Sequence, residues 1–200
     1  MSRSYFKEYL TVQEERRLFR AMGARQGLTA ERDLAWMQAL RYTGVRIDAF
    51  SRLTVRHALQ VVKTYYLTLE PAIQKRKKGH SIYVCKRGRQ AFDRLLKIRR
   101  RQGHELDQDA PLVLSRKGGA LSVRGYQDRC NYWDSEAGLD LGLSPHWFRH
   151  TLAKHLMKTS ESADPQLIVM AALGHSDRRS TDIYTWPDKE DMELELERAA

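Results

Sequence analysis

The chain has 200 residues, 42% of them hydrophobic, enough for one domain that buries its own core without covalent staples. Cys85 and Cys130 lie 45 residues apart with no CxxC or His/Cys cluster near either, which argues against a disulfide framework or structural zinc, and the absence of any apolar run near the roughly 20 residues of a membrane span or of a signal core in MSRSYFKEYL leads us to expect a cytoplasmic protein. The formal net charge is +10, and residues 74–101 hold twelve Lys/Arg against Asp93 alone, so the rest of the chain nets close to zero.

In chain order, residues 9–23 open at a Thr11 cap and place Val12, Leu18, Phe19 and Met22 on one side before Gly23. A second helix over 29–43 takes Thr29 as its cap and Trp36, Met37 and Leu40 as its stripe, with Leu34 at the edge. Gly44 follows its end, which sets Arg46 just past a tight turn. Residues 59–70, LQVVKTYYLTLE, are β-branched and aromatic, and 80–85, HSIYVC, alternate Ile82 with Val84, so both read as strands. PAIQKRKKG between them contains Pro71 and Gly79, giving a hairpin or three-stranded sheet with a basic tip. Residues 88–103 predict a basic amphipathic helix with Phe92, Leu95, Leu96 and Ile98 inward, 104–121 a loop with a short apolar PLVL, and 122–138 a helix weakened at Gly125. A last core helix, 165–173, delivers Gly174 and His175. The expected fold class is mainly α with a small antiparallel β-sheet (α+β), with no internal repeat.

The stretch SPHWFRHTLAKHL, 144–156, is the one around which the rest is organised. Ser144 as cap and Pro145 as first residue open a helix whose unpaired N–H groups and partial positive charge suit a phosphate. His146 and Arg149 share a face there, with His150 one turn from His146, so an imidazole and a forked guanidinium point the same way. The basic run interleaved with Tyr83 and Phe92 is the footprint of a polyanion-binding surface, and nucleic acid is its natural partner. Lys75, Arg76, Lys78, Lys97, Arg99, Arg100 and Arg101 are the candidate DNA contacts.

The TGVR of residues 43–46, the HWFR of 146–149, the LGH of 173–175 and a tyrosine nine residues after that histidine, Tyr184, occur in that order. Together they resemble the catalytic domain of the tyrosine recombinases, the phage integrase family, from about Tyr9 to Trp186, in a short form without the usual N-terminal core-binding domain. The resemblance implies a site-specific recombinase of the integrase or invertase type that cleaves and rejoins DNA. Tyr184 is the nucleophile, giving a 3′-phosphotyrosine and a free 5′-hydroxyl. Arg46 and Arg149 stabilise the developing charge, and His146 and His175 hydrogen-bond the phosphate or assist proton transfer. A lysine of the hairpin tip is the general acid: Lys77 matches best, with Lys75 and Lys78 as rivals. Neither cofactor nor metal is required, the partner is double-stranded DNA, and self-association into a synaptic tetramer follows.

The chain departs from the family three residues after Arg46, where an acid usually orients the arginine: Ala49 stands there, with Asp48 one residue early. A catalytically impaired DNA binder of the same fold is therefore one alternative, a type IB topoisomerase-like enzyme another, and a zinc hydrolase using His146 and His150 a third.

We divide the chain into a catalytic domain, 1–187, and an acidic C-terminal helix, 188–200, with Pro187 at its first position and a narrow stripe of Met192, Leu196 and Ala199. Six acids against two bases in 188–200 suit docking on a neighbouring protomer rather than on DNA.

Overall fold

In the computed structural model, which describes residues 8–73, 79–175 and 177–199, α1 (Val12–Ala24) begins in a capping box. The Thr11 hydroxyl accepts from Glu14 N–H at 3.2 Å, and the Glu14 carboxylate accepts from Thr11 N–H at 2.7 Å. Leu18 and Met22 face the core, whereas Val12 is exposed. Helix α2 (Leu28–Thr43) starts one residue earlier than its sequence suggests, with Gly27 rather than Thr29 at the cap. It is the central helix, packed by α1, α5 and α7, and this three-sided packing buries it around most of its circumference, Arg32, Asp33 and Arg41 included.

Residues 59–70 are where the sequence misleads. The first half of that stretch belongs to α4 (Val55–Thr64), and only Tyr66–Leu69 forms β1. Two observations explain the helix. Val55, Ala58 and Val61 recur at helical spacing onto the core, and the His57 imidazole accepts from Thr54 N–H at 3.0 Å, closing a cap that uses histidine in place of the usual acid. Tertiary packing and this cap outweigh the strand preference of Val61 and Val62. After a left-handed Tyr65 (φ 63°), β1 pairs antiparallel with β2 (His80–Tyr83), Leu67 opposite Ile82 and Leu69 opposite His80. Among the described residues the sheet has two strands, and its basic tip, Lys75 to Lys78, lies outside them.

Helix α5 (Lys86–Arg101) buries Phe92, Leu95, Leu96 and Ile98 as its periodicity predicts. Arg99 joins them rather than facing a ligand: it is buried, its Nε donates to the Glu105 carbonyl at 2.8 Å and its Nη1 to the Pro111 carbonyl at 2.6 Å. Its guanidinium ties down the apolar loop of Leu112, Val113 and Leu114.

Beneath this loop sits a buried ionic hub. Asp33 on α2 is 0% exposed and accepts five hydrogen bonds. They come from Arg32 Nε and Nη2, from Trp36 Nε1, from Arg129 Nε, and from Trp133 Nε1 on α6 (Val123–Glu136). Two guanidinium groups and two indoles thus depend on one carboxylate. Asp134 acts similarly on the next connection, one carboxylate oxygen accepting from the N–H groups of Leu141, Gly142 and Leu143 and fixing the approach to α7 (Pro145–Thr159).

Helix α8 (Pro165–Leu173) has Asp164 as cap and Pro165 in its first turn, and ends at a left-handed Gly174. The short α9 (Arg179–Asp182) leads to Tyr184. The final helix, α10 (Lys189–Ala199), begins two residues later than Pro187 suggests: Asp188 supplies the first helical carbonyl, accepting from Met192 N–H at 3.0 Å. Among the described residues no helix is long and apolar enough to cross a membrane.

Asp33→Ala is expected to lower stability by about 3–5 kcal/mol, because it leaves buried guanidinium groups without a counter-charge. Urea unfolding reads this as a shift of the midpoint; a loss below about 1 kcal/mol would show that water replaces the carboxylate.

Candidate active site

The site forms where α2, α7 and α8 meet, and Arg149 is its centre. This residue is 4% exposed. Its Nη1 donates to the Gly44 carbonyl at 2.5 Å, and its Nη2 to the Leu173 carbonyl at 3.0 Å and to His175 Nε2 at 2.7 Å. Gly44 has to be glycine. Its φ is +60°, and a Cβ there would lie 2.6 Å from Leu173 Cδ2 and 2.9 Å from Leu152 Cδ2. The TGxR turn therefore lies close against α7 and α8, and one guanidinium joins all three. Burial, reinforced by the Arg46 cation, pulls the Arg149 pKa down to about 10, so the group remains charged at neutral pH.

The same contacts fix the His175 tautomer. Arg149 has only donors, so His175 Nε2 accepts, and the other nitrogen, Nδ1, donates to Thr181 Oγ1 at 2.8 Å. Thr181 is fully buried on α9 and carries this order towards Tyr184.

Tyr184 is 3% exposed, and its hydroxyl lies 2.8 Å from His150 Nδ1. Burial, helped by His146, Arg149 and His175, pushes the His150 pKa down to about 3. At pH 7 the imidazole is neutral, and in the tautomer with its proton on Nε2 the phenol donates to Nδ1. Burial raises the Tyr184 pKa, while the Arg149 and Arg46 cations work in the opposite direction. His146 stands edge-on to His150, ring centroids 4.5 Å apart, at the more exposed mouth of the cleft. Partial desolvation and the same two arginines lower its pKa.

Arg46 flanks the start of the short α3 (Ile47–Phe50), half-exposed, and with Arg149 it lines a small cavity bounded also by Asp48, Ala49 and His80. Ala49 is buried and Asp48 is exposed at the surface of its turn.

After Tyr184 the chain is held by α7 a second time. The Lys154 amine, 4% exposed, donates to the Trp186 carbonyl at 2.6 Å and pairs with Asp188 at 3.1 Å. Lys158 reaches Asp188 at 2.6 Å and Asp191 at 2.8 Å.

The structure thus brings Arg46, His146, Arg149, His175 and Tyr184 into one cleft. Lys77, with Lys75, Arg76 and Lys78, lies outside the described residues. On α5, Lys97 pairs with Asp93 at 2.7 Å and Arg101 with Glu31, while Arg100 is exposed; Arg99 alone is turned inward. Sequence reasoning missed His150 as the partner of Tyr184. Its four-residue spacing from His146 was visible, but it suggested a zinc pair; here Nδ1 engages the phenol, and no cluster of three His/Cys/Asp/Glu among the described residues could hold a metal. Lys154 was missed also, since Trp186 and Asp188 are brought near it only by the fold, and so was His57, whose capping partner Thr54 is local but which is not the usual acid of a capping box.

Comparison with known proteins places this geometry. The phage integrase family model matches residues 8–191. The tyrosine recombinase XerC of Actinobacillus succinogenes is 31% identical over 158 residues, 78% of this chain and 50% of that protein. The XerC of Pseudomonas entomophila is 30% identical over 167 residues, 83% of this chain and 52% of that protein. The chain therefore spans about half the length of these curated relatives. Among solved structures, XerA recombinase superposes with a TM-score of 0.76 at 19% identity, covering 100% of this chain and 65% of that one. The XerH site-specific recombinase bound to its difH substrate gives 0.71 at 18%, covering 92% and 51%. With a fold match over the whole chain and a family match that includes every motif of the cleft, the protein belongs to the phage integrase family.

Proposed function

We propose that the chain is the catalytic domain of a site-specific recombinase that breaks and rejoins duplex DNA through a 3′-phosphotyrosine. The observation that carries this reading is the Tyr184 hydroxyl lying 2.8 Å from Nδ1 of a neutral His150, in the field of Arg149 and Arg46. The Tyr184 oxygen attacks the scissile phosphorus in line, and its proton passes to His150 Nδ1. Charge gathers on the nonbridging oxygens, where Arg46 and Arg149 supply preorganised positive charge without metal. His146 at the mouth faces the phosphate, and His175, its two ring nitrogens taken by Thr181 and Arg149, holds Arg149 in place for it. The departing 5′-oxygen takes a proton from the hairpin tip, for which Lys77 is the candidate with Lys75 and Lys78 beside it. Rejoining reverses these steps, the 5′-hydroxyl attacking and Tyr184 leaving. The neighbouring XerH structure is a complex with its difH substrate, and the basic α5 face supports duplex DNA as the partner here.

A synaptic assembly is part of the proposal. Leu194 and Leu196 of α10 are exposed, and Leu196 shares a face of that helix with Met192. Across the molecule a groove of about 1080 Å³, lined by Phe19, Tyr42, Ile82, Leu156 and Ile168 and edged by Arg16 and Arg87, matches such a helix in polarity and charge. A second copy's α10 is its occupant.

Three outcomes test this reading. Tyr184→Phe should abolish the covalent adduct on a nicked duplex in a denaturing gel and leave DNA affinity within a few fold, since only the nucleophilic oxygen is lost; an adduct that persists removes Tyr184 from the reaction. Replacing Lys97, Arg100 and Arg101 with Gln, Arg99 left in place, should reduce the slope of log affinity against log salt by about 0.9 for each phosphate that is no longer neutralised; an unchanged slope would put the DNA on another face. Deleting residues 192–200, which spares the Asp188 clamp, should leave binding to a single site intact and weaken the complex of two bound sites in a native gel. If the truncated protein pairs sites as the full chain does, α10 does not dock in trans.

A further inference from the structure

His80 belongs to none of the family motifs, yet it occupies an inward position of the hairpin. In the register of β1 and β2 it lies opposite Leu69 and continues the face of Leu67, Leu69 and Ile82, all buried. An imidazole among aliphatic side chains has to be satisfied or has a use. One ring nitrogen is accounted for by a hydrogen bond to the Ala172 carbonyl on α8, and since a carbonyl only accepts, that nitrogen carries the proton. Nε2 is therefore a bare lone pair, shielded from solvent and with no hydrogen-bond partner among the described residues. The ring reaches this place because Gly174 has no side chain: a Cβ there would stand 2.9 Å from Cδ2 and 3.0 Å from Nε2. Burial, helped by Arg149, keeps its pKa below the ordinary value, so the lone pair persists at neutral pH.

His80 also lines a cavity of about 30 Å³ whose other walls include Arg46, Asp48, Ala49 and Arg149. That is room for one water, and its polar walls offer the two or more partners a buried water needs. Both cations on its rim have N–H groups to give, and Ala49 offers neither donor nor acceptor. Among the buried acceptors beside them, the Gly44 and Leu173 carbonyls and His175 already bond Arg149, whereas Nε2 has no partner among the described residues.

We propose that His80 is a positioning residue for the arginine pair, its Nε2 accepting through a single water bound between it and the guanidinium groups of Arg46 and Arg149. Such a bridge fixes the angle at which Arg46 meets the phosphate, at a position where the chain provides alanine rather than a carboxylate. A neutral acceptor holds the guanidinium without cancelling the charge the phosphate needs. This inference rests on the strand-cleavage reading above for its kinetic consequence, though not for the hydrogen bond itself.

Three proteins test it: the wild type, His80→Gln, whose side-chain oxygen reaches about as far as Nε2, and His80→Leu, which fills similar space without an acceptor. Single-turnover adduct formation on a nicked duplex is expected to fall about tenfold or more in His80→Leu and to recover to within about threefold of wild type in His80→Gln, with DNA affinity and melting temperature alike in the two variants. A His80→Leu protein that cleaves as fast as wild type, or a His80→Gln protein no faster than His80→Leu at equal melting temperature, overturns the proposal. The nitrogen-15 spectrum of histidine-labelled wild-type protein decides the matter if His80→Leu does not fold or if no adduct forms at all. At neutral pH Nε2 of His80, assigned by its loss in His80→Gln, is expected at a non-protonated position displaced by an accepted hydrogen bond. A protonated Nε2, or a non-protonated one with no such displacement, overturns the bridge, whereas absence of wild-type adduct with the expected spectrum overturns only the strand-cleavage reading.

Discussion

A buried cation bonded to carbonyl oxygens and an imidazole, with no carboxylate among its hydrogen-bond partners, is the constraint around which the site is built. Arg149 is removed from water and spends three donors on Gly44, Leu173 and His175. These partners satisfy hydrogen bonds without neutralising the charge. Burying such a group opposes folding, and the depressed pKa of Arg149 records that cost. The cost is the source of the site's electrostatic strength: a positive charge already desolvated and already oriented needs no reorganisation when an anion arrives. The same three bonds explain the surrounding backbone. Gly44 turns left-handed beneath the guanidinium and Gly174 turns left-handed just after Leu173, so the two helices that flank Arg149 both end by presenting carbonyl oxygens to it.

Helix α7 extends that logic along its length. His146, His150, Lys154 and Lys158 follow one another at four-residue spacing and form a single stripe. The chain from Tyr184 onwards lies along it in order: Tyr184 on His150, Trp186 and Asp188 on Lys154, Asp188 and Asp191 on Lys158. Tyr184 is thus held within its own protomer at both its hydroxyl and its following backbone. Farther along α10, Leu194 and Leu196 are exposed.

How much of this was legible follows from the range of each interaction. The capping box at Thr11, the Ser144–Pro145 start of α7, the Gly44 and Gly174 turns and the inward face of α5 are decided within a few residues, and they are where the sequence puts them. Residues 59–64 read as strand because valine, threonine and tyrosine favour it, and the cap that makes them helical uses His57, a residue that signals nothing at that position. Arg99 read as a DNA contact because it stands in a run of like charges; only the return of the chain at Glu105 and Pro111 turns it into a structural donor. The family motifs located the cleft, but the partner of Tyr184 lies 34 residues away and the choice between His146 and His150 needs the helix in place.

The proton balance at Tyr184 links the cleft to its substrate. In the structure His150 is a feeble base, its pKa near 3, and the phenol it faces is raised above its ordinary value, so no proton moves between them. The causes of the low His150 pKa are burial first and then the neighbouring histidines and Arg149. A phosphodiester entering beside Arg149 would offset the cationic part of that field and leave the burial, raising the basicity of His150 at the moment an acceptor for the Tyr184 proton is needed. Tyr184 stays protonated in the structure because burial, with Arg149 adding to it, keeps His150 from accepting the proton, and an anion beside Arg149 would remove only the second contribution.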